Sequence, residues 1–374
     1  MDRLPTIEDV ARAAQVSRQT VSNVLNTPAI VKPATRKRVE VAIRKLAYRP
    51  HASARRLRMR KSSTIAIRLD PMTNGISGAL LDRFLHALTE QADDRGIRIL
   101  LFTAADPAAE IEQIRKLRAS GDVDAFVLTA TFHGDPRTKW LVESDVPFVT
   151  FGRPWGADDM NHSTHLWVDV DGFAGMREAT IHLIDRGSSR IGYVGWPSPS
   201  GTGDDRHRGW QTAVGERLAL GDDDLTALNV SVEDRLEDAR NAVVTLLEGD
   251  DRIDGLVCAS DTLALGAMIA AASVGRSDLP IIGFDNSPVG QAIGLSSVDQ
   301  TLDAVAGGAL ELLLGESGSD LVHRDAASGD ARHRLITPHL VIRQPLRLLA
   351  PDAVSTPTAT KNAVGNHRNG KETQ

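Results

Sequence analysis

Two hydrophobic periods divide the chain. Over residues 6–46 apolar side chains recur at helical spacing in three short runs. Val10, Ala11 and Ala14 predict a first helix that ends near Ala14; Thr6 and Asp9 before it have the form of a capping box. Val21, Val24 and Leu25 predict a second helix from Arg18 to Leu25, capped by Ser17. Val39, Ala42, Ile43 and Leu46 predict a third, opened by Pro33. Gln15-Val16 leaves room only for a tight turn. From Thr64 the pattern becomes short apolar runs alternating with helical stretches. Strands are predicted at 65–69, 97–103, 125–130 and 148–151, with helices at 79–95, 108–120 and 137–144 between them. After a link at 158–165, further strands are predicted at 190–195, 227–232, 255–259 and 280–284, with helices between them. A last helix at 302–314 should pack against the body. Such alternation predicts parallel sheets covered on both faces.

The second part of this pattern repeats the first. Asp124-Ala125-Phe126-Val127-Leu128 parallels Asp254-Gly255-Leu256-Val257-Cys258. Pro147-Phe148-Val149-Thr150-Phe151-Gly152-Arg153 parallels Pro280-Ile281-Ile282-Gly283-Phe284-Asp285-Asn286. Two similar subdomains are therefore expected. Open α/β sheets bind ligands beyond the carboxyl ends of their strands, so a cleft with Arg153 on one wall and Asp285 on the other is expected; a surface salt bridge is the other reading of Arg153. Trp155 and Trp196 also follow strand ends, where an indole can pack on a sugar face. Trp140, Trp167 and Trp210 read better as core.

Charge separates the two parts further. The 374 residues carry a net −6, but residues 1–61 hold fifteen Lys and Arg against four Asp and Glu, a balance of +11. The remaining residues hold 28 against 45, a balance of −17. A basic head on an acidic body points to a polyanionic partner for the head alone. Two short helices joined by a tight turn and closed by a third form a helix-turn-helix. Arg18, Gln19, Ser22 and Asn23 lie off the apolar face of the second helix, and Arg can read guanine while Gln or Asn reads adenine. A small bundle with a solvated polar face fits the same pattern. The run Ala54-Arg55-Arg56-Leu57-Arg58 is either a solvated linker or a segment that becomes helical on DNA, with Leu57 as a minor-groove wedge.

Enzyme and metal chemistry find little support. The chain has one cysteine, Cys258, and no Gly-x-Ser-x-Gly, phosphate-loop or His-Glu-x-x-His motif. His162 and His165 lack an obvious third ligand, and Asp169-Val170-Asp171 fits a strand or cap better than a cation site. No catalytic residue, cofactor or metal is expected. With no apolar span and no signal region, a cytoplasmic protein is expected.

Thr6-Ile7-Glu8-Asp9-Val10-Ala11, Val16-Ser17-Arg18-Gln19-Thr20-Val21-Ser22-Asn23-Val24-Leu25-Asn26, Tyr48-Arg49-Pro50 and Ala54-Arg55-Arg56-Leu57 together resemble the lactose/galactose-repressor family of bacterial transcription regulators. The resemblance implies DNA contacts from Thr6, Ser17, Arg18, Gln19, Thr20, Ser22, Asn23, Ala54, Arg55, Leu57 and Arg58. The body is similar to the family's effector domain, of the type I periplasmic-binding-protein fold, through Asp205-Arg206-His207-Arg208-Gly209-Trp210, Ala259-Ser260-Asp261-Thr262, Ile282-Gly283-Phe284-Asp285-Asn286 and Leu340-Val341-Ile342-Arg343. This implies an effector site of Arg153, Trp155, Trp196, Arg206, Ser260, Asp261 and Asp285. The stretches Phe151-Gly152-Arg153-Pro154-Trp155 and Gly195-Trp196-Pro197 resemble the branch that senses maltose- or cellobiose-type glucosides. Gln15 replaces the usual turn glycine, His51 a frequent Asn cap, Lys32 a Ser cap and Ser260 a ligand-binding Asn.

The implied organisation is a DNA-binding head at 1–50, a hinge at 51–62 and an effector-binding body at 63–347. The body should cross between subdomains near 158–165 and 290–300, and a disordered tail should follow at 348–374. The implied function is a sugar-responsive repressor, a homodimer on a palindromic operator, released by a glucoside or oligosaccharide inducer. A co-repressor whose bound form holds DNA, or a sugar-binding module, is the alternative.

Overall fold

The computed structural model describes residues 5–48, 62–69, 78–157, 160–162, 164–314 and 332–344. The expected hinge residues Ala54, Arg55, Leu57 and Arg58, and the expected tail at 348–374, lie outside them.

The head is three helices, α1 (Ile7–Ala14), α2 (Arg18–Asn26) and α3 (Pro33–Lys45). The capping box is present: Asp9 N donates to Thr6 Oγ1, and Thr6 N donates to Asp9 Oδ2 at 2.9 Å. Ser17 Oγ accepts from Thr20 N at 3.1 Å and so fixes where α2 starts. Pro33 opens α3, and Lys32 before it gives no side-chain cap. Val10, Ala14, Val21, Val24, Val39 and Ala42 meet in one small core. The tight turn requires Gln15 at φ 52°, ψ 51°, a left-handed conformation that costs a side-chain-bearing residue roughly 1–2 kcal/mol.

The body divides into two compact units. The first takes the chain through Asp171, then Pro199–Thr202 and Thr301–Thr337; the second takes Gly172–Ser198, Gly203–Gln300 and the chain from Pro338. The first unit contains β1 (Thr64–Arg68), α4 (Gly78–Asp94), β2 (Arg98–Phe102), α5 (Pro107–Ala119), β3 (Ala125–Leu128), α6 (Pro136–Glu143), β4 (Phe148–Phe151) and β5 (Leu166–Val170). The second contains α7 (Gly172–Asp185), β6 (Ile191–Gly195), α8 (Thr202–Leu218), α9 (Asp222–Ala227), β7 (Asn229–Ser231), α10 (Leu236–Gly249), β8 (Gly255–Cys258), α11 (Asp261–Ser273), β9 (Ile281–Phe284), α12 (Pro288–Ala292) and β10 (Ser296–Asp299). The chain then adds α13 (Leu302–Leu314) and β11 (His333–Ile336) to the first unit and β12 (His339–Val341) to the second.

The sheets share one order. It is β2-β1-β3-β4-β5-β11 in the first and β7-β6-β8-β9-β10-β12 in the second, so the repeated segments occupy matching places. All pairs are parallel except β10 with β12. Even the repeated aspartates do one job. Asp124 accepts from Ser62 N and Ser63 N at 2.8 and 2.6 Å; Asp254 accepts from Arg190 N and Ser189 N at 2.8 and 2.7 Å. Alternate residues of β3 feed opposite faces: Ala125 and Val127 join α4 and α13, Phe126 and Leu128 join α5 and α6. Buried on both faces, the strand reads as one apolar run.

Several expectations need correction. The strand expected at 227–232 is only Asn229–Ser231, because Ala227 still belongs to α9. The chain leaves the first unit after β5, at Asp171, not in the 158–165 link. It returns briefly for Pro199–Thr202, again at the end of the expected 290–300 crossing, and leaves once more after Thr337. Four strands, β5, β10, β11 and β12, are additional to those expected.

Candidate functional site

The polar face of α2 is built by its cap and its apolar stripe. With Val21 and Val24 buried, Arg18 and Gln19 are exposed and Ser22 and Asn23 half-buried. Gln19 Nε2 donates to Asn23 Oδ1 at 3.0 Å, one turn along. Arg18 Nη1 lies 3.9 Å from the exposed Glu8 carboxylate. Exposed pairs of this kind contribute little, so these donors and acceptors can exchange to base edges. Thr6, Ser17 and Thr20 sit at the helix starts, where Ser17 and Thr20 share a 2.9 Å hydroxyl contact. Thr6 hydroxyl donates to Asp9 at 2.7 Å. They suit phosphate contact, which positions a protein without reading sequence.

In the second unit the carboxyl ends of the strands gather a polar cluster around one arginine. Arg206, on α8, is buried at 4% exposure. Its guanidinium carbon lies 3.7 Å from the Phe284 ring centre and 5.2 Å from that of Trp196. Nη1 donates to the Ala259 carbonyl at the end of β8 and lies 3.8 Å from Asp285 Oδ1. Its Nε and the indole Nε1 of Trp196 are buried without a hydrogen-bond partner. Buried donors of this kind are costly unless satisfied, and a ligand's oxygens would satisfy them. Asp285 also accepts from Gln300 Nε2 at 2.6 Å. Burial pushes its carboxyl up to about 8, opposed by Arg206 and reinforced by Asp261 and Asp234.

The two residues after β8 have different tasks. Ser260 Oγ caps α11 by accepting from Leu263 N at 3.1 Å and donates to Asp234 Oδ1 at 2.5 Å. Asp261 is buried with both oxygens taken, Oδ1 by the Ser297 hydroxyl and Oδ2 by Ser287 N, each at 2.6 Å. It fixes the turn after β9. Asn286 is held between Asp299 and Arg343, at 2.5 and 2.7 Å. Phe284, Asp234, Asn286 and Gln300 were not anticipated as site residues. The signal available for Phe284, Asn286 and Gln300 was their place at or just after the ends of β9 and β10; Asp234, three residues past β7, had none.

In the first unit, Arg153 Nε donates to Asp169 Oδ2 at 2.8 Å, and its guanidinium lies 4.3 Å over Trp155. Both members of the ion pair are mostly buried, so this is not the surface pair of the alternative reading. Asp169 is thereby an anchor for Arg153. Trp155 is buried with its Nε1 unpartnered. Gly201, at φ +64°, lies so close to its indole that an added Cβ would sit 2.4 Å away. Trp167 and Trp210 are buried and Trp140 packs half-buried on a core. His165 is buried, shares a 3.0 Å contact with Thr150 and packs on Phe148. An open groove of about 440 Å³ between Phe173, Arg177, Ile181, Thr212 and Glu216 lies on the outer helices α7 and α8. It holds none of these strand-end residues, and an open groove without buried polar groups is a poor sugar site.

Residues 6–51 match the family model for bacterial regulatory proteins of the lacI family. Residues 81–337 match that for periplasmic binding proteins and the sugar binding domain of the same family. The HTH-type transcriptional regulator CelR of Thermobifida fusca is 31% identical over 350 residues, covering 91% of this chain and 98% of that one. A regulatory protein of the LacI family from Chloroflexus aggregans aligns with a TM-score of 0.67 at 33% identity, covering 75% of this chain and 98% of that one. A CelR–cellobiose complex aligns with a TM-score of 0.65 at 26% identity, over 91% and 99%. Among the described residues no helix is long and apolar enough to cross a membrane.

Proposed function

The chain belongs to the lacI family of bacterial regulatory proteins, and from that premise we propose that this DNA-binding transcriptional regulator is a repressor released from a palindromic operator by a glucoside or short oligosaccharide. The observation that carries the effector class is Arg206: a buried guanidinium between two aromatic rings, with an unpartnered N–H and a carboxylate 3.8 Å away. Sugar hydroxyls both donate and accept, and their C–H faces pack on aromatic rings, so this set of groups suits a saccharide. The cellobiose named with the CelR structure is in the same chemical class.

Arg18, Gln19 and Asn23 read bases from α2, while Ser17, Thr20 and Ser22 hold the backbone. One head covers a half-site, so two copies bind a two-fold operator. Ala54, Arg55, Leu57 and Arg58 add a minor-groove contact in which Leu57 is the wedge. Sugar shifts the regulator between a DNA-holding and a DNA-releasing state, by as much as its affinities for the two states differ.

A saccharide panel scored by thermal shift, followed by a gel shift with each hit, tests this reading. A sugar at 100 times its dissociation constant adds about 2.7 kcal/mol to folding stability, and the same sugar should release the operator. A sugar that tightens operator binding would instead make the ligand a co-repressor. A protein that binds the operator and none of the panel would end the sugar reading.

A further inference from the structure

We infer that the strand-end site of the second unit selects uncharged saccharides and excludes phosphorylated and uronic-acid ones, with Asp234 as the specificity-determining residue and Ser260 as the residue that positions it. This rests on the sugar reading above and names the charge class within it.

The adjacent residues after β8 hold opposite charges. The Ala259 carbonyl takes Arg206 Nη1, and the Ser260 hydroxyl donates to Asp234 at 2.5 Å. Ser260 cannot turn away, because the same oxygen caps α11 through Leu263 N. Asp234 is therefore tethered to the residue next to the one that holds the arginine, which would otherwise attract an anion. The balance around Arg206 is acidic. Asp285 adjoins it, Asp234 lies near enough to Asp285 to act on its carboxyl, and Asp261 and Asp299 stand behind, linked through Ser297 and Asn286. Against the carboxylates of Asp234, Asp261 and Asp299 stand two guanidiniums, Arg206 and Arg343; Asp285, raised to about 8, adds little negative charge at neutral pH. Burial raises the Asp285 carboxyl first and Arg206 opposes it, while Asp261 and Asp234 both add to the rise, which places their charge within reach of this site. A phosphate or carboxylate brought here adds like charge in a site with little water, where such repulsion is strong. An uncharged hydroxyl meets no such barrier and satisfies the unpartnered Arg206 Nε.

Calorimetry on the full chain tests this with cellobiose and maltose, each against its 6-phosphate. The neutral sugar should bind at least tenfold more tightly than its phosphate. Asp234→Asn keeps an oxygen for Ser260 and removes the charge, so it should narrow that gap at least threefold. Ser260→Ala, which frees Asp234, should narrow the gap as well, and Ser260→Thr should restore it; a merely structural cap would weaken both sugars alike. Equal or tighter binding of a phosphate, or an unchanged gap in Asp234→Asn, overturns the inference and leaves the sugar reading standing. Binding of neither form, in a protein that still binds operator, overturns the sugar reading and this inference with it.

Discussion

The ends of β4 and β9 are the same backbone carrying different chemistry. Each strand is fourth in its sheet, and each ends in a residue whose N–H reaches the neighbouring strand at 2.9 Å, Gly152 to Val168 O and Asp285 to Val298 O. Both residues have positive φ, +117° and +113°. In the first half the position is glycine, which takes that conformation without penalty. In the second it is aspartate, which pays for it in backbone strain of order 1–3 kcal/mol, and its carboxyl is buried as well. The repeat preserved the turn, but only one copy placed a costly side chain there. A side chain held against its own backbone preference, facing a buried arginine, is the reason the proposed effector site is put at this turn. The first half has its cation one residue later, in Arg153, and neutralises it on Asp169 at 2.8 Å.

The strongest way to break this contrast is to give the second half the first half's residue. Asp285→Gly should lower effector affinity roughly tenfold to hundredfold, since a charge-assisted hydrogen bond is worth about 1.5–3 kcal/mol. It should also raise folding stability, because the strain and the buried carboxylate go together. Calorimetry with the identified sugar and urea denaturation of the same protein read the two halves. Operator binding should persist, giving a regulator that no longer responds. Unchanged sugar affinity would place the effector elsewhere.

The converse change probes the first half. A Cβ on Gly152 would sit 2.3 Å from Thr131 Oγ1, so Gly152→Ala must displace Thr131 as well as adopt an unfavourable φ. We expect a loss of about 1–2 kcal/mol in urea denaturation. A neutral result would mean that the turn relaxes easily, and the strain assigned to Asp285 would then need revision too.

Much of this contrast was legible in the sequence. The two Asp-led apolar runs and the two Pro-led runs fall on β3 with β8 and β4 with β9, because strands buried on both faces must be apolar throughout. What was missed is polar and buried. β10, Ser296–Asp299, lies inside the region taken for a crossing, yet all four residues are buried. Ser297 serves Asp261, and Asp299 serves Asn286, so the strand's polarity is paid by partners far away in sequence. Leu166–Val170 hides likewise, because Asp169 interrupts its apolar run to hold Arg153. Asp234 had no local signal; its role depends on Ser260, 26 residues on. The head was legible almost residue by residue, because caps and helical stripes are local.

Titration sharpens the contrast, because only the second half carries a carboxyl at this turn. Asp285 is raised in the folded protein from an ordinary value of 3.8 to about 8, mainly by burial. Between those values the folded state holds a proton that the unfolded chain has released. Its contribution to stability therefore falls as pH rises from about 4 to 8 and is constant outside that window. Urea denaturation of wild type and Asp285→Asn across this range should show wild type losing stability relative to the variant. Parallel curves would mean that Arg206 keeps the carboxylate ionised throughout.

The smallest effect comes from a strained residue with no ligand to serve. Gln15 sits at φ 52° in the turn of the head, where its N–H closes α1 onto Ala11 and Arg12. Its side chain is exposed, and nothing requires glutamine there. Gln15→Gly removes the left-handed penalty, although glycine also gives the unfolded chain more freedom to lose. The net gain in head stability should therefore be modest, about 0.5–1 kcal/mol, and sugar affinity should not change. Hydrogen exchange of the α1 and α3 amides reads the head alone. If the gain appears and sugar binding is untouched, strain in this protein is a local cost, and its functional meaning at Asp285 comes from the arginine it faces. If Gln15→Gly destabilises the head, the glutamine is doing something at the turn that backbone strain alone does not describe.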